Sequence, residues 1–108
     1  MGKYVLKSSG TQFHFTLKGG NGETILTSER YVSKQGALEG IQSVKECSSI
    51  AASYEKKDAS NGQPMFNLKS SNGQVIGTSE TYSSSAVRDG GIMAVMANGP
   101  TSPTIDET

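Results

Sequence analysis

The sequence predicts an α+β fold made of two tandem repeats, and three patterns support this prediction. Residues 13–31 combine an alternating apolar run, the turn pair Asn21-Gly22 and a second run rich in β-branched residues, which is typical of a β-hairpin. A stretch that begins at Ser33 then places apolar residues three and four apart, as an amphipathic helix does: Ala37, Ile41 and Val44. The hairpin and helix patterns return 51 residues later, which indicates an internal duplication.

The duplication is clearest between residues 15–44 and residues 66–95. At a constant offset of 51, 14 of these 30 positions are identical, far more than unrelated segments share. The shared positions include a Thr-Ser-Glu-x-Tyr motif at 27–31 and 78–82. We therefore interpret residues 1–108 as a single domain made of two repeats, about 1–52 and about 53–108.

The first repeat is expected to form a β-meander followed by a helix. A short strand around Tyr4 precedes strands at 13–18 and about 24–27. Ser33 is placed to cap the helix, because its hydroxyl can accept a hydrogen bond from an otherwise unpaired backbone amide.

The second repeat is expected to follow the same course. A strand carrying Tyr54 begins it, and its helix spans roughly 85–96, with Asn98-Gly99-Pro100 as the stop signal. The tail, about 99–108, either frays or supplies one edge strand around 104–106.

One repeat of about 50 residues rarely buries enough apolar surface to fold alone. We therefore predict tandem β-β-β-α-β units with pseudo-two-fold symmetry that share one antiparallel sheet, with both helices packed on it. The strand after each helix is expected to pair with the other repeat. The predicted core consists of Phe13, Phe15, Leu17, Ile25, Ile41, Val44, Phe66, Leu68, Ile76, Ile92 and Val95.

Composition limits the classes of partner. Hydrophobic residues make up 33% of the chain, and ten basic residues balance ten acidic ones. Zero net charge argues against a broad basic field for a phosphate backbone, so nucleic acid is a disfavoured partner. The single cysteine, Cys47, excludes an internal disulfide and fits a reducing cytoplasm. No run approaches the roughly 18 apolar residues of a membrane helix, so we expect a cytoplasmic protein without membrane contact.

The repeated Thr-Ser-Glu-x-Tyr motif has two interpretations. Glu29 and Glu80 could form a carboxylate pair near the pseudo-two-fold axis, for acid–base catalysis or for a hard cation. Alternatively, the motif serves folding, with Ser and Glu satisfying backbone amides while Tyr31 and Tyr82 close the core. We favour the folding interpretation, because duplication preserves folding determinants as readily as functional sites.

The lysines of the second strand of each repeat suggest a different site. Lys18 and Lys69, with His14 nearby, could form a small cationic patch, and Tyr31 and Tyr82 could offer stacking surfaces to single-stranded nucleic acid. Zero net charge and the small number of exposed aromatic residues argue against this interpretation.

The other candidate features have simpler explanations. The Asn-Gly pairs at 21–22 and 72–73 connect strands and do not precede a helix, so they do not form a phosphate-binding loop. His14 has no acidic partner at a matching offset, and Met65 occupies its place in the second repeat. Cys47 lies at the C-terminal end of a helix, which disfavours a reactive thiolate. We assign no catalytic, cofactor-binding or metal-ligating residue.

The sequence also resembles the YegP-like family of small bacterial proteins. The resemblance lies in Leu-Lys-Gly-Gly-Asn-Gly-Glu-Thr-Ile-Leu-Thr-Ser-Glu-Arg-Tyr at 17–31, in Gly-Ile-Gln-Ser-Val at 40–44, and in their recurrence at 66–95. It implies tandem β-β-β-α-β units in a single sheet with exchanged terminal strands, and it implies no chemistry. Two departures in the second repeat, Gly77 in place of Leu26 and the run Arg88-Asp89-Gly90-Gly91, are expected to weaken its helix.

The sequence therefore predicts a non-catalytic binding or structural module that is a monomer, an internal pseudo-dimer, with partners unknown. The alternatives are an enzyme that uses carboxylates near the axis and a weak binder of single-stranded nucleic acid. The residues proposed for a ligand or partner surface are Lys18, Glu29, Tyr31, Lys69, Glu80 and Tyr82.

Overall fold

The protein is one seven-stranded sheet with two helices, as seen in a computed structural model that describes residues 2–108. The first repeat comprises β1 (Lys3–Ser9), β2 (Gln12–Lys18), β3 (Thr24–Ser28) and α1 (Lys34–Cys47). A short 3-10 turn at Ala51–Ser53 leads to the second repeat, which comprises β4 (Tyr54–Asp58), β5 (Pro64–Lys69), β6 (Val75–Thr78) and α2 (Ser85–Asn98). The chain ends with β7 (Thr104–Asp106).

The order of the strands confirms the predicted tandem arrangement. The sheet runs β4-β5-β6-β3-β2-β1-β7, so each repeat supplies three neighbouring antiparallel strands and the repeats join at β3 and β6. At this joint Thr27 pairs with Thr78, which occupies the same place in the second repeat. The pseudo-two-fold axis therefore passes between these two threonines.

The sheet is mixed, so the prediction of a wholly antiparallel sheet is wrong at one edge. β7 runs parallel to β1, with Tyr4 opposite Thr104. The Tyr4 amide donates to the Pro103 carbonyl at 2.8 Å, and the Glu107 amide donates to Leu6 at 2.8 Å. Of the two strands that follow a helix, only β7 pairs with the other repeat. β4, which follows α1, belongs to the second repeat and pairs with β5 of that same repeat.

The core lies between the helices and one face of the sheet. Nine of the eleven predicted core residues are buried, whereas Phe13 and Ile25 are half-buried. A bulge opposite Leu17 and Lys18 interrupts the alternation of β3, and Leu26 is fully buried as a result. The buried cluster also includes residues that the prediction omitted: Tyr4, Leu6, Leu26, Ala37 and Cys47.

Serine side chains complete the backbone hydrogen bonds where strands and helices begin or end. The Ser28 hydroxyl accepts from the Phe15 amide at 2.9 Å and donates to the Glu29 carbonyl at 2.7 Å, and Ser79 repeats both bonds. Ser33 caps α1 by accepting from the Gly36 amide at 3.0 Å, and Ser84 caps α2 in the same way. This geometry supports the folding interpretation of the serine in the repeated motif.

Candidate functional site

Two clefts lie at the joint between the repeats, on the helix side of the sheet. Cleft 1, of about 680 Å³, lies between the β2–β3 turn, the segment 80–82 and α2, and its lining includes Asn21, Glu23, Ile25, Glu80, Tyr82, Val87, Gly91 and Ala94. Cleft 2, of about 420 Å³, lies between the β5–β6 turn, Tyr31 and α1, and its lining includes Asn72, Gln74, Ile76, Tyr31, Gly36, Glu39, Gly40 and Ser43.

The two clefts are related by the pseudo-two-fold axis. Adding 51 to the residue numbers of the β2–β3 turn gives the β5–β6 turn, and the same offset relates Tyr31 to Tyr82 and Gly40 to Gly91. In each cleft the turn belongs to one repeat, and the tyrosine and helix belong to the other. Neither repeat alone contains a complete cleft.

A tyrosine and a helix glycine form one wall of each cleft. The rings of Tyr31 and Phe15 stack with centroids 6.3 Å apart, and those of Tyr82 and Phe66 stack at 6.4 Å. The Tyr82 hydroxyl lies directly against Gly91, so a side chain at that position would overlap the phenol. Tyr31 makes the same contact with Gly40. These glycines leave room for the tyrosine rings. This contact explains why glycine occupies the same position in both helices.

The cleft tyrosines differ from the other two tyrosines in their hydrogen bonds. Tyr4 donates to the Gly99 carbonyl at 2.7 Å, and Tyr54 donates to the Ser48 carbonyl at 2.6 Å. The hydroxyls of Tyr31 and Tyr82 make no hydrogen bond to any of residues 2–108. Each cleft therefore offers a hydroxyl that can donate to, or accept from, a ligand.

The electrostatic environment of both tyrosines is acidic. Burial, followed by the nearby carboxylates of Glu80 and Glu23, raises the pKa of Tyr82 above its usual value. Burial and then Glu29 raise the pKa of Tyr31 in the same way. Among residues 2–108, neither cleft is lined by a lysine or an arginine. The clefts are therefore suited to a group that carries positive charge or donates hydrogen bonds.

Sequence differences make cleft 1 more acidic and more apolar than cleft 2. Glu23 of cleft 1 corresponds to Gln74 of cleft 2, and Val87 corresponds to Gly36. Ala94 likewise corresponds to Ser43. If both clefts bind the same kind of ligand, cleft 1 is expected to bind it more tightly.

The structure does not bring Glu29 and Glu80 together. They lie on opposite sides of the Thr27–Thr78 pair, because antiparallel strands leave it in opposite directions. Four residue steps separate them, which is roughly 13 Å along the strands at about 3.3 Å per residue. Glu80 lines cleft 1, but Glu29 lines neither cleft within the described chain. A shared carboxylate pair at the axis is therefore not formed.

The predicted lysines lie on the opposite face of the sheet, which no helix covers; we call it the open face. The Lys18 ammonium donates to Thr24 at 3.1 Å, and Lys69 pairs with Glu55 at 3.2 Å. All aromatic rings of the chain lie on the helix side, so Tyr31 and Tyr82 cannot stack bases beside Lys18 and Lys69. Of the six predicted site residues, Tyr31, Glu80 and Tyr82 line the clefts, Lys18 and Lys69 lie on the open face, and Glu29 lines neither cleft.

The structure also places the two remaining candidate residues, His14 and Cys47. His14 lies on the open face, and its Nδ1 atom is buried without a hydrogen-bond partner in residues 2–108. Cys47 is buried as a free thiol. Residues 2–108 contain no group of three or more His, Cys, Asp or Glu that could hold a metal ion. Within the same range, neither helix has the length and apolar character needed to cross a membrane.

Sequence reasoning missed the clefts, although one signal was present. Gly40 and Gly91 are identical in the two repeats within helices that glycine destabilises. A retained helix glycine indicates a close contact, here with the tyrosine of the repeated motif.

The fold defines a tandem-repeat α+β protein with paired clefts where its repeats meet. Comparison with known families then identifies the family: the chain belongs to the domain of unknown function DUF1508, whose family model matches residues 8–55 and again residues 59–106. The two matches agree with the two repeats and confirm the resemblance to YegP-like proteins.

Curated relatives extend over nearly the whole chain. It is 57% identical to a UPF0339 protein of Shewanella oneidensis over 102 residues, which is 94% of this chain and 93% of that protein. It is 53% identical to the UPF0339 protein YegP of Escherichia coli K12 over 102 residues, with the same coverage of 94% and 93%. It is 50% identical to a UPF0339 protein of Bordetella pertussis over 107 residues, or 99% and 96% of the two chains.

Two solved structures share the fold. The solution NMR structure of the Shewanella oneidensis UPF0339 protein matches with a TM-score of 0.90 at 57% identity, covering 97% of this chain and 90% of that one. The solution NMR structure of Escherichia coli YegP matches with a TM-score of 0.92 at 52% identity, covering 99% and 93%. The printed names of these relatives describe UPF0339 proteins or a protein of unknown function and state no activity.

Proposed function

We propose that this chain is a non-catalytic binding module and that cleft 1 and cleft 2 are its binding sites. The observation that carries the proposal is that two clefts with corresponding lining residues lie on the two sides of the axis, and that each cleft is lined by residues of both repeats. A volume of about 680 Å³ in cleft 1 lies in the range of roughly 300–1,000 Å³ that is typical of small-ligand sites.

The chemistry of cleft 1 favours an organic cation with an aliphatic body. Glu23 and Glu80 supply negative charge at the rim, and the unpaired Tyr82 hydroxyl supplies a hydrogen-bond acceptor. Ile25 and Val87 supply apolar surface for the body of the ligand. A free alkylamine and the lysine side chain of a partner protein share this chemistry, and the ligand class includes both.

We also propose that the chain is a cytoplasmic monomer in which the two repeats act as an internal pseudo-dimer. A buried, unpaired Cys47 is compatible with a reducing compartment. The joint between β3 and β6 already brings together two equivalent units, so a symmetric pair of sites does not require a second chain.

An NMR titration of the ¹⁵N-labelled protein tests the assignment. Butylammonium is expected to shift the amide signals of residues 19–23, 80–82 and Gly91, whereas butyrate at the same concentration leaves them in place. A blocked lysine peptide, titrated in parallel, distinguishes a side-chain ligand from a free amine by its relative affinity.

Matched variants separate the two clefts. E23Q/E80Q is expected to weaken butylammonium binding at cleft 1 by about tenfold, since it removes both carboxylates from the lining. E39Q changes the carboxylate of cleft 2 and is expected to leave the affinity of cleft 1 unchanged. Equal shifts with butyrate, or shifts that E23Q/E80Q does not alter, would contradict the proposal.

A further inference from the structure

Basic and acidic residues are equal in number, but the fold distributes them unevenly over the surface. Strand alternation and register place five lysines on the open face, where Glu55 and Glu107 are acidic neighbours: Lys3, Lys7, Lys18, Lys57 and Lys69. The strands thus present five basic and two acidic side chains on this face, although the whole chain has ten basic and ten acidic residues. A protein of zero net charge therefore has one distinctly basic face.

Most of this positive charge is not neutralised within the chain. Lys69 pairs with Glu55 at 3.2 Å, and Lys7 approaches Glu107 only to 3.8 Å. Among residues 2–108, Lys3, Lys18 and Lys57 have no carboxylate within 4.0 Å. These exposed or half-exposed ammonium groups can form ion pairs with a polyanion at little desolvation cost.

The centre of this face, between Lys18 and Lys69, is polar, whereas the apolar side chains of Val5, Ile105 and Met65 lie nearer its two edges. Register places the side chains of Thr16, Thr27 and Thr78 on this face, and Asn67 accepts from Thr78 at 2.9 Å. Hydroxyl and amide groups of this kind hydrogen-bond to phosphate and sugar oxygens. Because no aromatic ring lies on this face, bases cannot stack there, and binding would depend on the backbone of the ligand.

We propose that the open face binds the phosphate backbone of single-stranded nucleic acid without sequence preference. Lys3 on β1 and Lys57 on β4 are five strand spacings apart, or roughly 24 Å at about 4.8 Å per spacing. A flexible single strand can follow the twisted sheet across this distance and reach both groups, whereas a rigid duplex touches fewer of them. This inference departs from the expectation based on net charge, because net charge does not describe how charge is distributed.

Fluorescence anisotropy with a labelled oligothymidine tests the inference. Binding is expected at low salt, with a slope of log K against log salt of about −2, since neutralising three phosphates of a single strand contributes about −0.7 each. No binding at low salt would overturn the proposal. Equal affinity for a duplex of the same length, or displacement by polyglutamate as effective as that by unlabelled oligothymidine at the same charge concentration, would overturn the assignment to single strands.

Adjacent lysines on opposite faces of β4 supply a matched control. K3Q/K18Q/K57Q is expected to weaken oligonucleotide binding by about tenfold or more. K56Q makes the same charge change at one position on the helix side, where Lys56 pairs with Asp89 at 3.2 Å, and is expected to change the affinity by less than about twofold. If K57Q and K3Q/K18Q/K57Q both weaken oligonucleotide binding no more than K56Q does, the open face is not the binding surface. An unchanged ¹⁵N spectrum away from the substituted residues verifies that each variant is folded.

Discussion

Leu26 lies over Gly77, the residue that occupies its own place in the second repeat. A Cβ atom on Gly77 would lie 2.6 Å from the Leu26 side chain, so the space at the axis holds one of the two side chains and not both. Gly77 has no positive φ, so its backbone conformation does not require glycine. Glycine at position 77 therefore leaves room for Leu26 in the shared core. Gly77 lies in β6, so its effect is on the packing of the sheet and not on the helix, where we had expected it.

A double-mutant cycle measures this contact. We expect L26A to lower the free energy of unfolding by about 2–5 kcal/mol by opening a cavity. G77A is expected to cost about 1–3 kcal/mol, because its methyl group overlaps Leu26. L26A/G77A should cost less than the sum by about 0.5–3 kcal/mol, since each change relieves the other. Urea denaturation gives all three values, and strict additivity would contradict the contact.

The helix ends repeat this arrangement at Ser48 and Gly99, which are also 51 residues apart. Ser48 is fully buried, its hydroxyl has no partner in residues 2–108, and a side chain on Gly99 would overlap it. We expect G99A to destabilise the protein by about 1–3 kcal/mol. S48A should be neutral or stabilising by up to about 1 kcal/mol, because it removes an unpaired buried hydroxyl. A large loss of thermal stability in S48A would show that the hydroxyl is satisfied.

Neighbouring glycines of α2 test the role of Tyr82. Gly90 has no heavy atom within 4 Å of an added Cβ, so G90A is expected to stabilise the helix by about 1 kcal/mol. G91A places a methyl group against the Tyr82 phenol and is expected to destabilise by about 1–3 kcal/mol despite the same gain in helix propensity. Y82F in the G91A background should recover part of the loss. Equal effects of G90A and G91A on the denaturation midpoint would contradict the packing of the cleft wall.

The C-terminal strand should respond to acid. Hydrogen bonds from Lys34 and then Thr108 hold the pKa of Asp106 below its usual value. A depressed folded-state pKa contributes stability above the unfolded-state value of about 3.9 and loses it as pH falls further. We expect the NMR signals of β7 to shift below about pH 4, and K34Q should move the midpoint upward. K56Q, which removes a partner of Asp89, should leave the Asp106 midpoint unchanged.

Much of the fold follows from sequence patterns that act locally. Strand alternation, the Asn-Gly turns and the Ser33 cap depend on neighbouring residues, and the structure has each of them. Gly22 and Gly73 have φ values of 84° and 85°, as these turns require. The repeat then indicated that two units share a sheet. Of the two expectations for the tail, the structure has the edge strand.

The remaining features depend on distances that one-dimensional patterns do not contain. The position of the axis decides that Leu26 meets Gly77, and the parallel path of β7 depends on where α2 ends relative to β1. Net charge concealed the basic open face, because alternation assigns residues to a face only after strand neighbours are known. The clefts were not predicted, since each one combines a turn and a helix from different repeats.

The central claim is that the two repeats complete each other through the β3–β6 joint and the β7–β1 pairing. The most direct measurement is circular dichroism with size-exclusion chromatography on two fragments, residues 1–52 and 53–108, alone and mixed. We expect each fragment alone to be largely unfolded, because about 50 residues bury too little apolar surface, and the equimolar mixture to fold into a one-to-one complex. Two fragments that fold independently and do not associate would contradict the claim.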